Sequence, residues 1–411
     1  MDEAGFDSVV GLEEARNRLW DIAHSHGRSE SLPVADAAGR VLATGVEAKR
    51  AVPHYDRAAM DGYAVRASDT FDASDRSPAT LSLGTERVET GTAVPVHTGS
   101  ELPPGADSVV MVEATERRDD GLLIYDALSV GENVSPAGED VADGEPLLAA
   151  GHRLRPSDLA FLRATGTETV SVAQRPTVSV VPTGEELVAA GAEPAPGEIV
   201  ETNGLLVSTL AEQWGANATY GDIVTDDEDA LRAAVQRDTD HDIVVTTGGS
   251  SVGDRDLVAE VVGDAGEMLV HGVALKPGHP VGFGVVDETV VLVLPGYPVS
   301  CLVTAVQFLR PALAWLAGTE PTPHQTVAGR LTEKLRSDPG ERTFARVRLR
   351  EDTGETPTVE PVRTSGASVM SSVAAADGWV EIPDSREGIP AGETVEVQEW
   401  EPAGPQRVQL E

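Results

Sequence analysis

The sequence has few of the residues on which several classes of protein depend. It contains a single cysteine, Cys301, in 411 residues. That excludes an internal disulfide framework and a zinc site built on paired thiolates. Aromatic residues make up only 4% of the chain, so small aliphatic side chains must fill its cores. Lysine occurs only at Lys49, Lys276 and Lys334, and arginine supplies the other basic side chains.

The charge balance is strongly acidic. The chain has 31 Lys and Arg against 68 Asp and Glu, a formal net charge of −37. A field of this sign repels phosphodiester backbones and anionic membrane surfaces, so we expect neither nucleic acid nor a membrane as a partner. Excess carboxylates with little lysine favour a halophilic source with a salty cytoplasm, where salt screens self-repulsion. An acidic mesophilic protein is the alternative, and the scarcity of lysine argues against it.

The chain is expected to be cytoplasmic. Its first 15 residues contain neither a basic leader nor an apolar core typical of a signal peptide. Residues 289–309 carry no charge over about the length of a membrane span. Pro295-Gly296-Tyr297-Pro298 interrupts them, and neither a strand nor a helix tolerates that run internally. The stretch is therefore predicted to be a buried strand, a turn and a helix.

The pattern of apolar residues changes along the chain. It predicts a helix over residues 7–26, capped by Asp7 or Ser8, and another over 155–166. Between them, short alternating runs at 79–83, 108–112 and 122–125 predict an inserted all-β module. From residue 177, apolar strands alternate with helices, which predicts a parallel sheet covered on both faces. The functional crevice should lie beyond the carboxyl ends of those strands. Residues 327–411 again have the character of strands and turns.

The segment Thr246–Asp256 predicts a binding site for an anion. Gly248 and Gly249 follow an apolar strand directly and allow backbone N–H groups to converge on one point. The hydroxyls of Ser250 and Ser251 add donors. Asp254 and Asp256 cannot bind phosphate, but they can hold a divalent cation that does. An ordinary strand-to-helix turn with a capping aspartate is the alternative.

Other candidates are weaker on their own. Glu186 follows the first strand of the same sheet, although exposed glutamates after a glycine are more often simply solvated. Asp226 is ambiguous between capping a helix and binding a metal. Lys276, retained where lysine is rare, suggests a positive charge for an anion, against the alternative of an exposed turn residue. Ser300, near the start of a helix after Pro298, suggests a second oxyanion site. Cys301 is predicted to be a small buried hydrophobe, and the segment 56–65 reads only as a turn between strands.

The chain resembles the MoeA family of molybdopterin molybdenumtransferases, to which the E domains of gephyrin and its plant relative are similar. Nine motifs in order carry the resemblance: AAGRVLA, DRAAMDGYAV, HTGSELPPGADSVVMVE, SPAGEDV, PTGEEL, TNGLLV, TTGGSSVGDRD, LKPGHP and LPGYPVS. It implies a multidomain α/β plus all-β fold with four parts. These are an elongated linker domain (1–50 and 148–175), an inserted β domain (51–147), a MogA-like molybdopterin-binding α/β domain with a parallel sheet (176–322), and a C-terminal β-barrel (323–411). It also implies a homodimer whose site lies between the α/β domain of one subunit and the β domain of the other.

The resemblance also assigns roles to residues. It implies the catalytic residues Asp61, Asp140, Glu186, Asp226, Asp256 and Lys276. It implies substrate contacts from Thr98, Asn203, Gly248, Gly249, Ser250 and Ser251. Molybdate would contact Ser300, Arg346 and Ser368, although Arg346 alone would read as a surface residue of the barrel. Mg²⁺ would be held by Glu186, Asp256 and Asp61.

The reaction implied is Mg²⁺-dependent insertion of molybdate, or tungstate, into adenylylated molybdopterin with release of AMP. A non-catalytic scaffold or delivery protein of the same fold is the alternative, but it would have no need of Asp61, Glu186, Asp256 and Lys276 together. The adenylyltransferase of the same pathway lacks the surrounding β modules. The sequence departs from the family pattern at Arg57, His279 and Tyr297, which replace an asparagine, a lysine and an asparagine.

Overall fold

A computed structural model describes residues 9–119, 121–249, 257–350, 356–363 and 368–401. The chain divides into two compact units, Glu30–Val172 and Met1–Ser29 with Ala173–Glu411. The four domains predicted from the sequence are a finer division than this, and their boundaries stay a prediction.

Helix α1 (Leu12–Trp20) is shorter than the predicted helix over residues 7–26. Val10 forms a β-bridge with Val273, and Gly11 is extended, so the helix cannot begin before Leu12. The predicted caps, Asp7 and Ser8, lie outside the described residues. Leu12, Ala15 and Leu19 are buried along one face, as expected of the apolar side of a helix that packs on a core.

The unit Glu30–Val172 is built mainly from short strands. Six of them form one sheet in the order β7-β4-β6-β5-β9-β8. In chain order the elements are β1 (Ser29–Pro33), β2 (Val46–Glu47), β3 (Arg57–Ala58), β4 (Gly62–Val65), β5 (Ala79–Leu83), β6 (Thr92–Val96), β7 (Ser108–Met111), β8 (Thr115–Arg118), β9 (Gly121–Ile124), β10 (Val134–Ser135), β11 (Pro146–Leu148), α2 (Pro156–Ala164) and β12 (Thr169–Ala173). The three strands predicted in the module and the helix predicted over 155–166 are confirmed to within one or two residues.

The other unit contains a six-stranded sheet in the order β16-β13-β17-β21-β20-β18. Its region of the chain comprises β13 (Thr177–Pro182), β14 (Leu187–Val188), β15 (Ile199–Val200), α3 (Asn203–Gln213), β16 (Asn217–Tyr220), α4 (Glu228–Arg237), β17 (Ile243–Thr247), α5 (Leu257–Ala265), β18 (Glu267–His271), β19 (Leu275–Lys276), β20 (Gly282–Val286), β21 (Thr289–Leu294), α6 (Pro298–Thr304) and α7 (Arg310–Leu316).

The predicted parallel sheet is confirmed for β16, β13, β17 and β21, which pair in parallel. β20 alone is reversed: it pairs antiparallel with both β21 and β18, so β18 runs in the same direction as the other four strands. The turn between β20 and β21 is two residues long, with Asp287 and Glu288 both at positive φ. A tight hairpin of this kind reverses the strand direction, but it usually contains asparagine or glycine, so the sequence did not signal it.

Both faces of the sheet are covered. Val178, Val180 and Val245 pack into a core with α3, α6 and α7. Their neighbours Val181 and Val244 point to the opposite face and pack with α4 and α5. The alternation follows from the two-residue period of a strand, and it confirms the prediction that helices cover both sides.

A closed barrel of five strands follows. Its circuit is β24-β25-β22-β28-β26 and back to β24. The elements are β22 (Thr326–Leu331), β23 (Leu335–Arg336), β24 (Arg342–Arg350), β25 (Thr358–Arg363), α8 (Met370–Ala374), β26 (Gly378–Ile382), β27 (Gly388–Ile389) and β28 (Thr394–Gln398). β19, from the preceding region, adds to β24 in parallel, so the barrel and the α/β region share a strand pairing.

The uncharged stretch predicted as strand, turn and helix is confirmed as β21, Pro295–Tyr297 and α6. A π-helical turn, Ala305–Leu309, joins α6 to α7. The resulting helix, Pro298–Leu316, has 19 residues and is apolar enough to cross a membrane, but 89% of its most apolar window is buried inside the protein. Core helices share this composition.

Candidate active site

Three strands of the parallel sheet end close together, and their loops contact one another. The Gly248 amide at the end of β17 donates to the Leu294 carbonyl of β21, at 3.1 Å. A Cβ on Gly296 would lie 3.5 Å from the Gly248 Cα. Thr183, which follows β13, lies against the same loop. The carboxyl ends of the strands therefore form the crevice that the sequence predicted.

Gly248 and Gly249 are required by this close approach. Gly248 has a φ of +145°, and a Cβ there would lie 2.1 Å from the Thr183 carbonyl oxygen. Gly249 has a φ of +68°, and its Cβ would lie 2.5 Å from the Val258 side chain. No other residue fits either position without strain. Ser250, Ser251, Asp254 and Asp256, predicted to complete the cradle, lie outside the described residues.

Several buried oxygen atoms at this edge have no hydrogen-bond partner within the described part of the chain. They share a location at the ends of β13 and β17 and in the loops beside them. They are the hydroxyls of Thr183, Thr246 and Thr247 and the side-chain oxygens Asn203 Oδ1 and Asp226 Oδ1. Leaving a buried polar atom unpaired costs about 1–3 kcal/mol. A fold that keeps five such atoms at one edge is suited to a polar ligand.

Asp226 and Glu186 lie at this edge with Glu185. Asp226 accepts a hydrogen bond from the Glu185 backbone amide, and burial, followed by the charges of Glu186 and Glu185, raises its pKa. Glu186 folds back over Gly184, with Oε2 2.8 Å from where a Gly184 Cβ would be. The structure thus brings together two of the predicted carboxylates, Glu186 and Asp226. The neighbouring Asp227 instead caps α4, accepting from the Ala230 amide at 3.0 Å.

The donor set at this edge fits Mg²⁺. Carboxylate and hydroxyl oxygens are its preferred ligands, and Mg²⁺ is commonly held by one or two carboxylates together with substrate phosphates. Among the described residues there is no group of three or more His, Cys, Asp or Glu side chains able to hold a metal. Glu186 and Asp226 would therefore hold the ion with help from a substrate. Of the predicted ligands, Asp256 lies outside the described residues and Asp61 belongs to the other unit.

Asn203 is the first residue of α3 and its amide is fixed in one orientation. Nδ2 donates to the Gly296 carbonyl at 2.7 Å, because a carbonyl can only accept. Its partner atom, Oδ1, therefore faces away from that bond. Beneath it, buried Glu201 accepts from the Gly204 amide at 2.6 Å and from the Tyr220 hydroxyl. Burial, then the bond to Glu201, raises the pKa of Tyr220 to about 12.

The three residues predicted to contact molybdate, Ser300, Arg346 and Ser368, lie where the barrel meets the α/β region, as does Lys276. Ser300 is buried in α6, and its carbonyl lies 3.6 Å from where a Gly278 Cβ would be, in the turn after Lys276. Ser368 precedes α8, which packs against α6. Strand alternation puts Arg346 on the same face of β24 as Phe344, which packs into the core of the α/β region. Arg346 is only 2% exposed, so it is not the surface residue of the barrel that the sequence alone would suggest.

Lys276 makes an ion pair that the sequence did not indicate. Its Nζ lies 2.6 Å from Asp338 Oδ2 and 3.7 Å from Glu341 Oε2. The hydrogen bond to Asp338, followed by the charge of Glu341, raises the pKa of Lys276. The lysine side chain is 45% exposed, so solvent and ligands still reach it.

In the other unit, Asp61 and Thr98 are in direct contact. The Thr98 backbone amide and hydroxyl both donate to Asp61 Oδ1, at 2.7 and 3.0 Å. These two bonds lower the pKa of Asp61, so the exposed carboxylate is ionised. Asp61 immediately precedes Gly62, where a Cβ would lie 1.9 Å from the Val110 carbonyl oxygen. Asp140 belongs to the same unit, and its amide donates to the Val52 carbonyl at 3.0 Å.

Sequence reasoning missed Glu201, Tyr220 and Asp338. A glutamate two residues before a predicted helix was a usable signal for Glu201. Tyr220 and Asp338 gave none, because their partners are distant in sequence. Cys301 is confirmed as a buried hydrophobe, with burial raising its pKa.

Three family descriptions match successive parts of the chain. The family description "MoeA N-terminal region (domain I and II)" matches residues 10–166. "Probable molybdopterin binding domain" matches 179–315, and "MoeA C-terminal region (domain IV)" matches 328–400.

Curated relatives and solved structures agree with these matches. Molybdopterin molybdenumtransferase 2 of Mycobacterium tuberculosis is 33% identical over 393 residues, covering 91% of this chain and 95% of the relative. The molybdopterin molybdenumtransferase of Bacillus subtilis is 31% identical over 405 residues, covering 94% and 93%. A crystal structure of a molybdopterin biosynthesis MoeA protein from Pyrococcus horikoshii superposes with a TM-score of 0.83 at 34% identity, covering 96% and 100%. The chain therefore belongs to the MoeA family of molybdopterin molybdenumtransferases, enzymes of molybdenum cofactor biosynthesis.

Proposed function

We propose that this chain inserts molybdate into adenylylated molybdopterin with the help of Mg²⁺ and releases AMP. The observation that supports this most strongly is the crevice at the carboxyl edge of the parallel sheet. It combines a glycine cradle, five buried oxygen atoms without partners in the described chain, and two adjacent carboxylates. A diphosphate with a bound cation satisfies all three.

Each part would have a distinct task. The Gly248 amide already donates to the Leu294 carbonyl, so the Gly249 amide would bind a phosphate oxygen, as backbone N–H groups do in anion cradles. Glu186 and Asp226 would hold Mg²⁺, which when bound would neutralise charge on the diphosphate. Water would then attack a phosphorus atom of the diphosphate and the P–O–P bond would break. AMP would leave, the pterin would keep its own phosphate, and the protons of the water would pass to solvent.

The anion to be inserted would lie at the boundary with the barrel. Lys276, Ser300, Arg346 and Ser368 offer two positive charges and two hydroxyls there, a set suited to a tetrahedral oxyanion. Because Asp338 and Glu341 already pair with Lys276, molybdate would have to compete with them. Tungstate has the same charge and shape, so the residues favour neither anion.

Asp61 would complete the site from the partner subunit of a homodimer. Its ionised carboxylate is oriented by Thr98, and an exposed, oriented carboxylate is suited to a cation or a substrate group from a second chain. Assembly of the site from two subunits would make activity depend on dimer formation.

The test is release of AMP from adenylylated molybdopterin by the purified protein in high salt with Mg²⁺, comparing molybdate with tungstate. We expect turnover in the wild type and its loss in Asp61→Asn. Asp126→Asn is the matched control, because Asp126 is an exposed carboxylate of the same unit. Absence of AMP release from the wild type would instead favour a scaffold or delivery protein. Full activity in Asp61→Asn would remove that residue from the mechanism.

A further inference from the structure

Three exposed apolar side chains border the first turn of α3, beside the glycine cradle. Tyr297 is 62% exposed, Leu205 is 59% exposed and Tyr220 is 46% exposed. We call these three residues the apolar rim. In a chain with 4% aromatic residues and a net charge of −37, such side chains at the mouth of a polar crevice need an explanation, because exposed apolar groups that gather at one place mark binding sites.

Tyr297 and Tyr220 both lie beside residues that form the crevice. Tyr297 follows Gly296, whose carbonyl accepts from Asn203 and whose Cα faces Gly248. The Tyr220 ring lies 2.5 Å from where a Gly204 Cβ would be, so glycine at that position is what admits the ring. The Tyr220 hydroxyl is held by buried Glu201. The Tyr220 ring is therefore held in one place, and Tyr297 follows a backbone segment that contacts the anion cradle.

Two buried polar atoms point to the kind of ligand. Asn203 is 8% exposed and Thr247 is 1% exposed, and neither Asn203 Oδ1 nor Thr247 Oγ1 has a partner among the described residues. The bond from Nδ2 to Gly296 makes Oδ1 an acceptor that a ligand N–H would satisfy. Planar heterocycles with amino groups provide such a donor together with a face that stacks on tyrosine.

We propose that Tyr297 stacks on a planar, amino-bearing heterocycle of the substrate while the cradle binds the attached phosphate, and that Asn203 Oδ1 accepts from that ring. Tyr297 is thus a specificity-determining residue that distinguishes a ring-bearing phosphate from a bare sugar phosphate. This rests on the proposed function only in taking the cradle as a phosphate site. Both the base of a nucleotide and a pterin have the required chemistry.

The test is calorimetric titration of the full-length protein in high salt with three probes: AMP, neopterin 3′-phosphate and ribose 5-phosphate. Ribose 5-phosphate has the phosphate but no ring. We expect Tyr297→Ala to weaken binding of a ring-bearing probe about tenfold, as removal of one stacked aromatic does, and to leave ribose 5-phosphate unchanged. Tyr297→Phe should bind as the wild type does. Trp20→Ala is the control, because Trp20 is 52% exposed in the same unit but lies at the end of α1, which packs against α7.

Each outcome decides something. A loss confined to AMP places the nucleotide base on Tyr297, and a loss confined to neopterin phosphate places the pterin there. An equal loss for all three probes, or no loss for either ring-bearing probe, overturns the proposal. None of these titration results tests the proposed reaction. That reaction is tested separately by AMP release from adenylylated molybdopterin in the wild type.

Discussion

Replacing Asp226 by asparagine should stabilise the protein while abolishing its activity. Burial and the charges of Glu186 and Glu185 oppose ionisation of this carboxyl, so the folded state bears a cost when it is charged at neutral pH. Because the group is only partly buried, solvent screens the repulsion. We therefore expect a gain of about 1 kcal/mol in the free energy of unfolding, typical of functional residues replaced for stability. For a domain of about 150–250 residues, this corresponds to a rise of about 2–4 °C in Tm.

The pH dependence has a defined sign. The pKa of Asp226 is raised above its ordinary value of 3.8, so the folded state binds the proton more tightly than the unfolded state does. The carboxyl therefore costs no stability below pH 3.8, and the cost develops as pH rises through the folded-state pKa. The advantage of Asp226→Asn should be absent at the acid end of this window and complete at neutral pH.

Mg²⁺ provides an independent readout. Binding to the folded wild type at ten times the dissociation constant should stabilise it by about 1.4 kcal/mol, and Asp226→Asn should lose most of this gain. The assay is thermal unfolding with and without Mg²⁺ over a pH series, beside AMP release. Asp227→Asn is the matched control, because asparagine caps a helix as well as aspartate does, and it should change neither Tm nor activity. A lower Tm for Asp226→Asn, with its Mg²⁺ response intact, would refute the reasoning.

Three further substitutions test other parts of the structure. Gly248→Ala would drive a Cβ into the Thr183 carbonyl and should cost about 3 kcal/mol, from strain at positive φ and the clash, visible as a lower Tm and lost AMP binding. Lys276→Met removes a half-exposed ion pair and should change stability by less than about 0.5 kcal/mol, while raising the KM for molybdate in the AMP-release assay. Asp242→Asn should destabilise by about 1–3 kcal/mol at neutral pH in urea titrations. Burial alone would raise the pKa of Asp242, but Arg28 and the donors of Thr177 outweigh it and lower the pKa. Its contribution is therefore present above pH 3.8 and is lost as pH falls through the folded-state pKa.

Local patterns were enough to predict most elements of the fold. Apolar runs located β13, β17 and β21, and their continuity correctly indicated a sheet buried on both faces. The sequence did not predict the reversed direction of β20, because Asp287-Glu288 does not have the usual composition of a tight hairpin turn. The two residues nevertheless form one. The length of helix α1 was overestimated at its start, because the apolar periodicity continues through residues that the long-range bridge between Val10 and Val273 holds extended. At α1, a tertiary contact outweighed the local preference.

For the site, the sequence predicted which loops carry the functional residues. It did not predict which side chains of those loops pair with one another. Gly248, Gly249, Glu186, Asp226 and Asn203 meet at one edge because parallel strands end together, a consequence of topology that the sequence already contains. Pairings such as Tyr220 with Glu201 depend on register between elements, so no local pattern could reveal them.

The pairing of Lys276 with Asp338 shows what the barrel contributes to the enzyme. Lys276 lies on β19, which the barrel strand β24 extends by pairing Leu275 with Arg342 and Lys276 with Thr343. The barrel therefore fixes the backbone that carries the lysine and also supplies its counter-charges. In a chain with a net charge of −37, an unpaired lysine would attract whichever of many carboxylates came nearest. A defined pair keeps its ammonium group at one place, where an incoming oxyanion has two known competitors. The barrel thus acts as a positioning element for this positive charge.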